Sequence, residues 1–381
     1  MHVRDCGAPP STASTFALLA RSARYLLLLS ALLGCCCLAP PTAGARVPRG
    51  FVGLVDDELI GASPAARRAA LRAEGSAGAG TLRQTFDWAD IERHPGRYDL
   101  SAYDSLVAEA AAAGLRVLPV LSHPPGFRSS RPRRHARRGV YPPRRYSDMA
   151  RFAAVLARRY GPGGTLWKER PDVPLRPIRS WQVWNEPNLT VYWASGVSPR
   201  GYTRLLRTVG RAIKRVDRGA EILTAGLPQS RLGMSFERFV TGIYGAGGRS
   251  AFDTLAVHPY ARGSRGVLGA ARLARRLMDR NGDRGAHIWI TELGWATGGP
   301  QSAFRVGSSG QASRIRGTLL GLARLRSRLL LRGIVYYKWR DTRARKGRDF
   351  FGNHTGLLEA NGRRKPGYYA FWRAARWLRR S

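Results

Sequence analysis

The chain is poor in acid, in lysine and in cysteine, and each shortage narrows its class. Only 25 of its 381 residues are Asp or Glu against 64 Lys or Arg, a formal charge of +39, and five of those basic residues are lysines, leaving 59 arginines. Charge of that sign invites a nucleic-acid or anionic-surface partner. The arginines, however, run through every amphipathic stretch instead of gathering on one, the pattern of compositional bias on a solvated surface, so no nucleic-acid partner is expected. Hydrophobic residues at 44% exclude a disordered chain, and the 44 glycines show no collagen period. All four cysteines (Cys6, Cys35, Cys36, Cys37) precede residue 38, so the remainder can form neither a disulfide nor a thiolate zinc site. Missing too are G-x-x-x-x-G-K-[ST], H-E-x-x-H and G-x-S-x-G, which removes the P-loop, zinc-protease and serine-hydrolase readings. Gly75, Gly78 and Gly80 precede a strand, whereas the dinucleotide fingerprint follows one.

What is present begins with an export signal. Arg21 and Arg24 lead into a 15-residue apolar run, Tyr25 to Ala39, followed by Pro40-Pro41 and the small-residue site Ala43-Gly44-Ala45. A charged flank, an apolar run too short to span a bilayer comfortably and an A-x-A site predict cleavage after residue 45. Residues 1–45 are therefore read as an export segment and 46–381 as one domain, secreted or held at the cell envelope. Leu32-Leu33-Gly34-Cys35 also resembles a lipobox, in which case a lipid on Cys35 is the one expected membrane link. An uncleaved anchor is a third reading, and the long stretch before Arg21 suggests a start downstream of Met1.

From Phe51 onward short apolar runs alternate with stretches of helical period, the signature of βα units. The predicted strands are Phe51–Val55, Thr81–Phe86, Leu115–Leu121, Arg179–Asn185, Glu221–Ala225, Phe252–His258, His287–Glu292 and Gly333–Trp339. Helix starts are read at Ser63-Pro64, at Ser101-x-x-Asp104 as a capping box, at Ser147 and at Ser198-Pro199. Gly114 and Gly161 are read as stops, and the last helix as Gly367 to Leu378. Eight strands, each followed by a helix, predict an α/β fold of the closed (β/α)₈ TIM-barrel type, with a doubly wound sheet as the alternative.

In such a barrel chemistry collects where strands run out into βα loops. The polar residues there include Asp56 and Asp57, Arg83 and Asp87, His123, Asn185 and Glu186, His258 and Tyr260, Glu292, and Trp339. Two are carboxylates ending apolar strands, the fourth and the seventh, which would face each other across the barrel mouth. Glycosidic bond cleavage needs such a pair, one acid to protonate the leaving oxygen and one carboxylate for the other face of the sugar.

Trp184-Asn185-Glu186-Pro187 and Thr291-Glu292 with Gly294-Trp295 resemble the signatures of the clan of retaining (β/α)₈ glycoside hydrolases that includes families 5, 39 and 42. Phe86-Asp87-Trp88, Ile91-Glu92, Pro95-Gly96-Arg97-Tyr98-Asp99, His258-Pro259-Tyr260, Gly356-Leu357-Leu358 and Lys365-Pro366 are similar to segments of the same enzymes, with families 39 and 5 the nearest in kind. The resemblance implies an enzyme cleaving O-glycosidic bonds of a β-linked glycan or glycoside by double displacement, with Glu186 as acid/base and Glu292 as nucleophile. It further implies that Asn185 binds the sugar 2-hydroxyl, that Arg83 and Tyr260 lie beside Glu292, and that His123, His258 and Trp339 line the sugar subsite, Trp339 as a stacking platform. Neither a metal nor an organic cofactor is implied, and no stable protein partner.

Several residues keep two readings. Trp88, Trp193 and Trp295 are sugar platforms or packing. Asp56-Asp57-Glu58 is a calcium site or a set of solvated or arginine-paired acids. The loop after the third strand gathers Arg128, Arg131, Arg133, Arg134, Arg137, Arg138, Arg144 and Arg145 around His135, either as a wall for an acidic glycan or as a basic loop without a role. A catalytically silent barrel that binds cell-envelope or anionic polysaccharide is the alternative to the enzyme.

Overall fold

The computed structural model describes residues 47–134, 137–230, 232–344, 347 and 349–380. The expected export segment with its cysteines, and His135, lie outside these residues. Short apolar runs become strands β1 (Val52–Val55), β2 (Thr81–Asp87), β3 (Arg116–Ser122), β4 (Ser180–Val183), β5 (Glu221–Leu223), β6 (Leu227–Pro228), β7 (Thr254–His258), β8 (His287–Ile290) and β9 (Leu331–Tyr337). All their pairings are parallel, in the order β5-β4-β3-β2-β1-β9-β8-β7-β6, and a Leu223–Thr254 pairing joins β5 to β7 and closes the ring. The fold is a closed (β/α)₈ barrel, and the open doubly wound alternative falls away.

The ninth strand is a short supplement. The run predicted as Glu221–Ala225 stops at Leu223, because Thr224 Oγ1 accepts from Ala256 N (2.9 Å) and Ala225 N donates to the Tyr202 hydroxyl (2.5 Å). β6 then resumes beside β7, Leu227 opposite Val257 and Pro228 opposite His258. Strands β4 and β8 also end two residues early, at Val183 and Ile290, so Asn185, Glu186 and Glu292 stand just beyond the sheet, not within it.

Helices cover the outside. Ser63 caps the helix Pro64–Ala77 by accepting from Ala66 N, and Ser198 caps Pro199–Val216 by accepting from Gly201 N, as predicted. The start at Ser101 holds, but the capping box there and the start at Ser147 are corrected. Ser101 is the first helical residue of Ser101–Ala112, preceded by Leu100, and its N–H and hydroxyl both donate to Asp99. Tyr146–Tyr160 begins one residue before Ser147. Gly78 closes the first helix at φ +106°, where a β-carbon would stand 2.7 Å from that of Ala375 in the last helix, Pro366–Arg380. The helices bury leucines, alanines and aromatics such as Leu71, Phe152 and Phe371 against the outer faces of strands buried on both sides. Each such side chain contributes roughly 1.5–3 kcal/mol. Inside the barrel, Leu118, Leu223, Ala256 and Trp289 form a separate apolar plug.

Of the acids after β1 only Asp56 is buried, Asp57 and Glu58 being exposed, and among the described residues they make no cluster that could hold a metal ion. Asp56 accepts from Glu58 N and faces Glu74, which is wholly buried. Burial raises the Asp56 carboxyl to about 6 despite its bonds with Glu58 and Glu74, and burial together with Asp56 lifts that of Glu74 well above the usual range. The folded chain thus holds protons that the unfolded chain releases. This contribution to stability is fully present below about pH 4 and declines as pH rises through 6. Glu74→Gln is expected to flatten that dependence, gaining on the order of 1–3 kcal/mol over the parent at pH 7.5 and little at pH 4 in urea unfolding.

Candidate active site

Side-chain alternation on the strands turns Arg83, Gln182 and His258 to the barrel interior at its C-terminal end, and hydrogen bonds then fix the two carboxylates. Arg83 spreads its guanidinium over three partners: Nε to Gln182 Oε1 (3.0 Å), Nη1 to Glu292 Oε1 (2.5 Å) and Nη2 to Asn185 Oδ1 (2.9 Å). The other oxygen of Glu292 accepts from the Tyr260 hydroxyl at 2.9 Å. His258, fully buried, places Nδ1 2.6 Å from Glu186 Oε1 and Nε2 3.1 Å from Thr291 Oγ1. Arg83 only donates, so Asn185 must turn its oxygen to it, and its amide N–H groups donate to no described residue.

Donor atoms of Glu186, His258 and Glu292 lie within 4.8 Å of one another. They are the one group among the described residues that could ring a metal ion. Both oxygens of Glu292 are already occupied by donors, and Arg83 supplies the positive charge a cation would bring. The environments separate the two carboxyls. Burial raises Glu186, and the nearby Glu292 charge adds to this, outweighing the His258 hydrogen bond. Burial also opposes ionisation of Glu292, but the charges of His258 and Arg83 and the bonds from Tyr260 and Arg83 overcome it and hold Glu292 below the usual carboxylate range. Two neighbouring carboxyls driven in opposite directions make one proton donor and one anion. The Tyr260 hydroxyl is held well above its ordinary value by burial and by Glu292, so it stays a donor.

The backbone here is held in an unusual form. His123 (φ +57°), Trp184 (+76°) and Glu186 (+46°) are left-handed, each costing on the order of 1–3 kcal/mol. Bonds from Trp184 N to Leu121 O (2.9 Å), Trp184 Nε1 to Tyr192 O (2.8 Å) and Glu186 N to Gly226 O (3.2 Å) fix the segment. Gly226 is required for a second reason: a β-carbon there would lie 1.8 Å from His258 Nε2. Gly226→Ala is expected to displace His258 and lower kcat about 10- to 100-fold while the far-ultraviolet circular dichroism is unchanged.

Of the residues read from the sequence, Arg83, Asn185, Glu186, His258, Tyr260 and Glu292 come together. His123 does not join them; its Nδ1 pairs with Asp87 Oδ2 at 2.9 Å on the neighbouring edge. Trp339 is only 2% exposed and packs on Tyr368 at 6.0 Å, so its ring offers no open face for stacking. Trp88, Trp193 and Trp295 are equally buried, which decides for packing. The aromatic surface beside Glu292 is instead one the sequence reading missed: Tyr260, Phe304 and Phe351, with centroids 4.8–5.7 Å apart, and the half-exposed Phe350 beyond them. Tyr337 donates to Asp57 Oδ2 at 3.3 Å.

The arginine-rich loop is anchored at its base. Arg128 bonds Glu92 (2.8 Å) and Asp148 (3.3 Å), and Glu92 also holds Trp88 Nε1 and Gly96 N, which ties the loops after β2 and β3 together. Arg131, Arg133, Arg134, Arg137 and Arg138 are exposed and form no ion pair among the described residues.

No protein-family model and no curated protein sequence matches the chain. Solved structures do share its fold. A family 39 glycoside hydrolase from Bacteroides cellulosilyticus WH2 aligns at TM-score 0.64 and 18% identity over 89% of this chain and 66% of its own. A monomeric β-xylosidase from Caulobacter crescentus CB15 aligns at 0.62 and 18% over 86% and 68%. A family 5, subfamily 18 glycoside hydrolase variant from Streptomyces cattleya, in complex with Manβ1-4GlcNAc, aligns at 0.61 and 16% over 86% and 80%. The chain thus spans about two thirds of the length of the first two. Both families towards which the sequence resemblance leans have this fold.

Proposed function

We propose that the chain is a glycosidase that hydrolyses O-glycosidic bonds with retention of anomeric configuration, Glu186 serving as acid/base and Glu292 as nucleophile. The observation that carries this reading is the approach of the two carboxylates to within 4.8 Å, one raised and one lowered in pKa. Retaining enzymes hold the pair roughly 5–5.5 Å apart, and inverting ones about 6.5–9.5 Å, to admit a water. In the first step a Glu292 oxygen bonds to the anomeric carbon as the glycosidic C–O bond breaks. The leaving oxygen takes the proton of Glu186 and departs as an alcohol. In the second, Glu186 takes a proton from water, whose oxygen bonds to the anomeric carbon and releases Glu292. Asn185 donates to the 2-hydroxyl, and the Tyr260–Phe304–Phe351 surface receives the apolar face of a sugar.

The substrate class follows from the same reading: a β-linked glycan or glycoside, with uronic-acid polymers favoured by the exposed Arg131, Arg133, Arg134, Arg137 and Arg138 of the loop after β3. Export to the exterior or envelope, with or without a lipid on Cys35, places the enzyme beside such material. KM for a uronic-acid substrate is expected to rise several-fold between 20 and 500 mM salt while that for a neutral analogue stays level.

The reading is tested by incubating the protein with a panel of 2-deoxy-2-fluoro glycosides bearing good leaving groups and mapping the adduct by mass spectrometry. A glycosyl ester on Glu292 supports it. An intact fold without an adduct from any sugar of the panel, together with unchanged glycan binding by Glu292→Ala, replaces it with a silent glycan-binding barrel.

A further inference from the structure

The same alternation that turns Arg83 and His258 inward at the C-terminal end turns Arg116, Ser180, Glu221 and His287 inward at the other. There, below the apolar plug, lies a cavity of about 760 Å³ lined by Arg49, Arg116, Arg176, Arg179, Arg326 and Arg332, with Glu221 as its one carboxylate. Glu221 is already satisfied, by Ser180 Oγ at 2.8 Å, Thr254 Oγ1 at 2.5 Å and Arg332 Nε at 3.1 Å. Arg179 reaches Asp217 at 4.0 Å, while Arg49, Arg116, Arg176 and Arg326 have no acid partner among the described residues.

Buried arginine Nε atoms without a protein acceptor among the described residues also occur singly elsewhere, on Arg128 and Arg340. Here the Nε of Arg176, the Nε of Arg326 and Nε1 of Trp289 are buried and meet no protein acceptor among the described residues. Leaving a buried donor unmet costs about 1–3 kcal/mol, and more when it is charged. Six arginines and a single, already satisfied carboxylate around one cavity make a strongly basic lining suited to oxygen anions. The volume lies within the range of small-molecule sites. The groove on the outer helices at Arg207, Arg211 and Arg215 is basic too, yet holds no buried unmet donor among the described residues.

We infer that the N-terminal end of the barrel is a binding site for a small, multiply charged oxyanion, phosphate- or carboxylate-bearing, distinct from the catalytic mouth and independent of the activity proposed there. Calorimetric titration of the full chain with inorganic triphosphate and, separately, with citrate tests it. At least one is expected to bind with a stoichiometry near one, and the two arms tell phosphate from carboxylate. Arg176→Gln and Arg326→Gln should each weaken binding about tenfold. Arg211→Gln on the outer groove should leave it unchanged. Unfolding midpoints without ligand confirm that each variant is folded. Binding that neither probe shows below millimolar concentration, or that Arg211→Gln weakens as much as Arg176→Gln, overturns the inference.

Discussion

Glu292→Ala is expected to lower kcat/KM by about five orders of magnitude, the scale of losing a nucleophile whose partners act as a unit. The site explains the size of the loss. Arg83 Nη1 and the Tyr260 hydroxyl are both aimed at the Glu292 oxygens, so without them these two donors lose their acceptor, while Arg83 stays held by Gln182 and Asn185. Sodium azide should restore turnover of an activated β-glycoside, and the product should be the α-glycosyl azide, since azide then attacks in the space the carboxylate left. Nuclear magnetic resonance of that product checks both the role and the side of attack. A variant retaining more than one hundredth of parental activity without azide would refute the assignment.

Glu186→Ala should show a different pattern, dependent on the leaving group. For substrates whose leaving group needs a proton the loss is expected to be about 10²- to 10⁴-fold in kcat/KM, while activated aryl glycosides should lose far less in the first step and accumulate the glycosyl ester. Azide here should give the β-glycosyl azide, because the ester shields one face. The pH profile adds a second readout. On the proposed roles, activity in the parent requires Glu292 ionised and Glu186 protonated, so it is expected to rise through the lowered value of the first and fall through the raised value of the second. Removing Glu186 should abolish the alkaline limb and leave the acid limb in place. A profile that keeps its alkaline limb would move the acid role to another group.

The extent to which this site could be read without coordinates has a physical reason at each residue. Glu186 and Glu292 are legible because an apolar run of strand length ending in a carboxylate is rarely anything but a strand end in a parallel barrel. Asn185 and Tyr260 ride on the same local patterns. Gly226 is illegible for the opposite reason: its role is set by an imidazole 32 positions away, and nothing in its own neighbours announces that contact. The aromatic surface combines Tyr260 with Phe304 and Phe351 from two long connections, whose course depends on packing and not on period. Trp339 was misread because tryptophan at a strand end buries as readily as it stacks, and here Tyr368 from the last helix covers it. The helix starts at Ser101 as read, but the serine does not cap it because Asp99, two residues earlier, competes for its hydroxyl.

The left-handed backbone at Trp184 and Glu186 sets a limit on how this protein can be improved. Both residues occupy a conformation in which glycine or asparagine would sit more comfortably. A population selected for heat resistance alone would therefore drift towards those residues at the catalytic strand end, becoming harder to melt as it lost its chemistry. Durable and active variants have to be sought elsewhere, for instance at Glu74, where replacing a buried carboxyl touches no residue of the site.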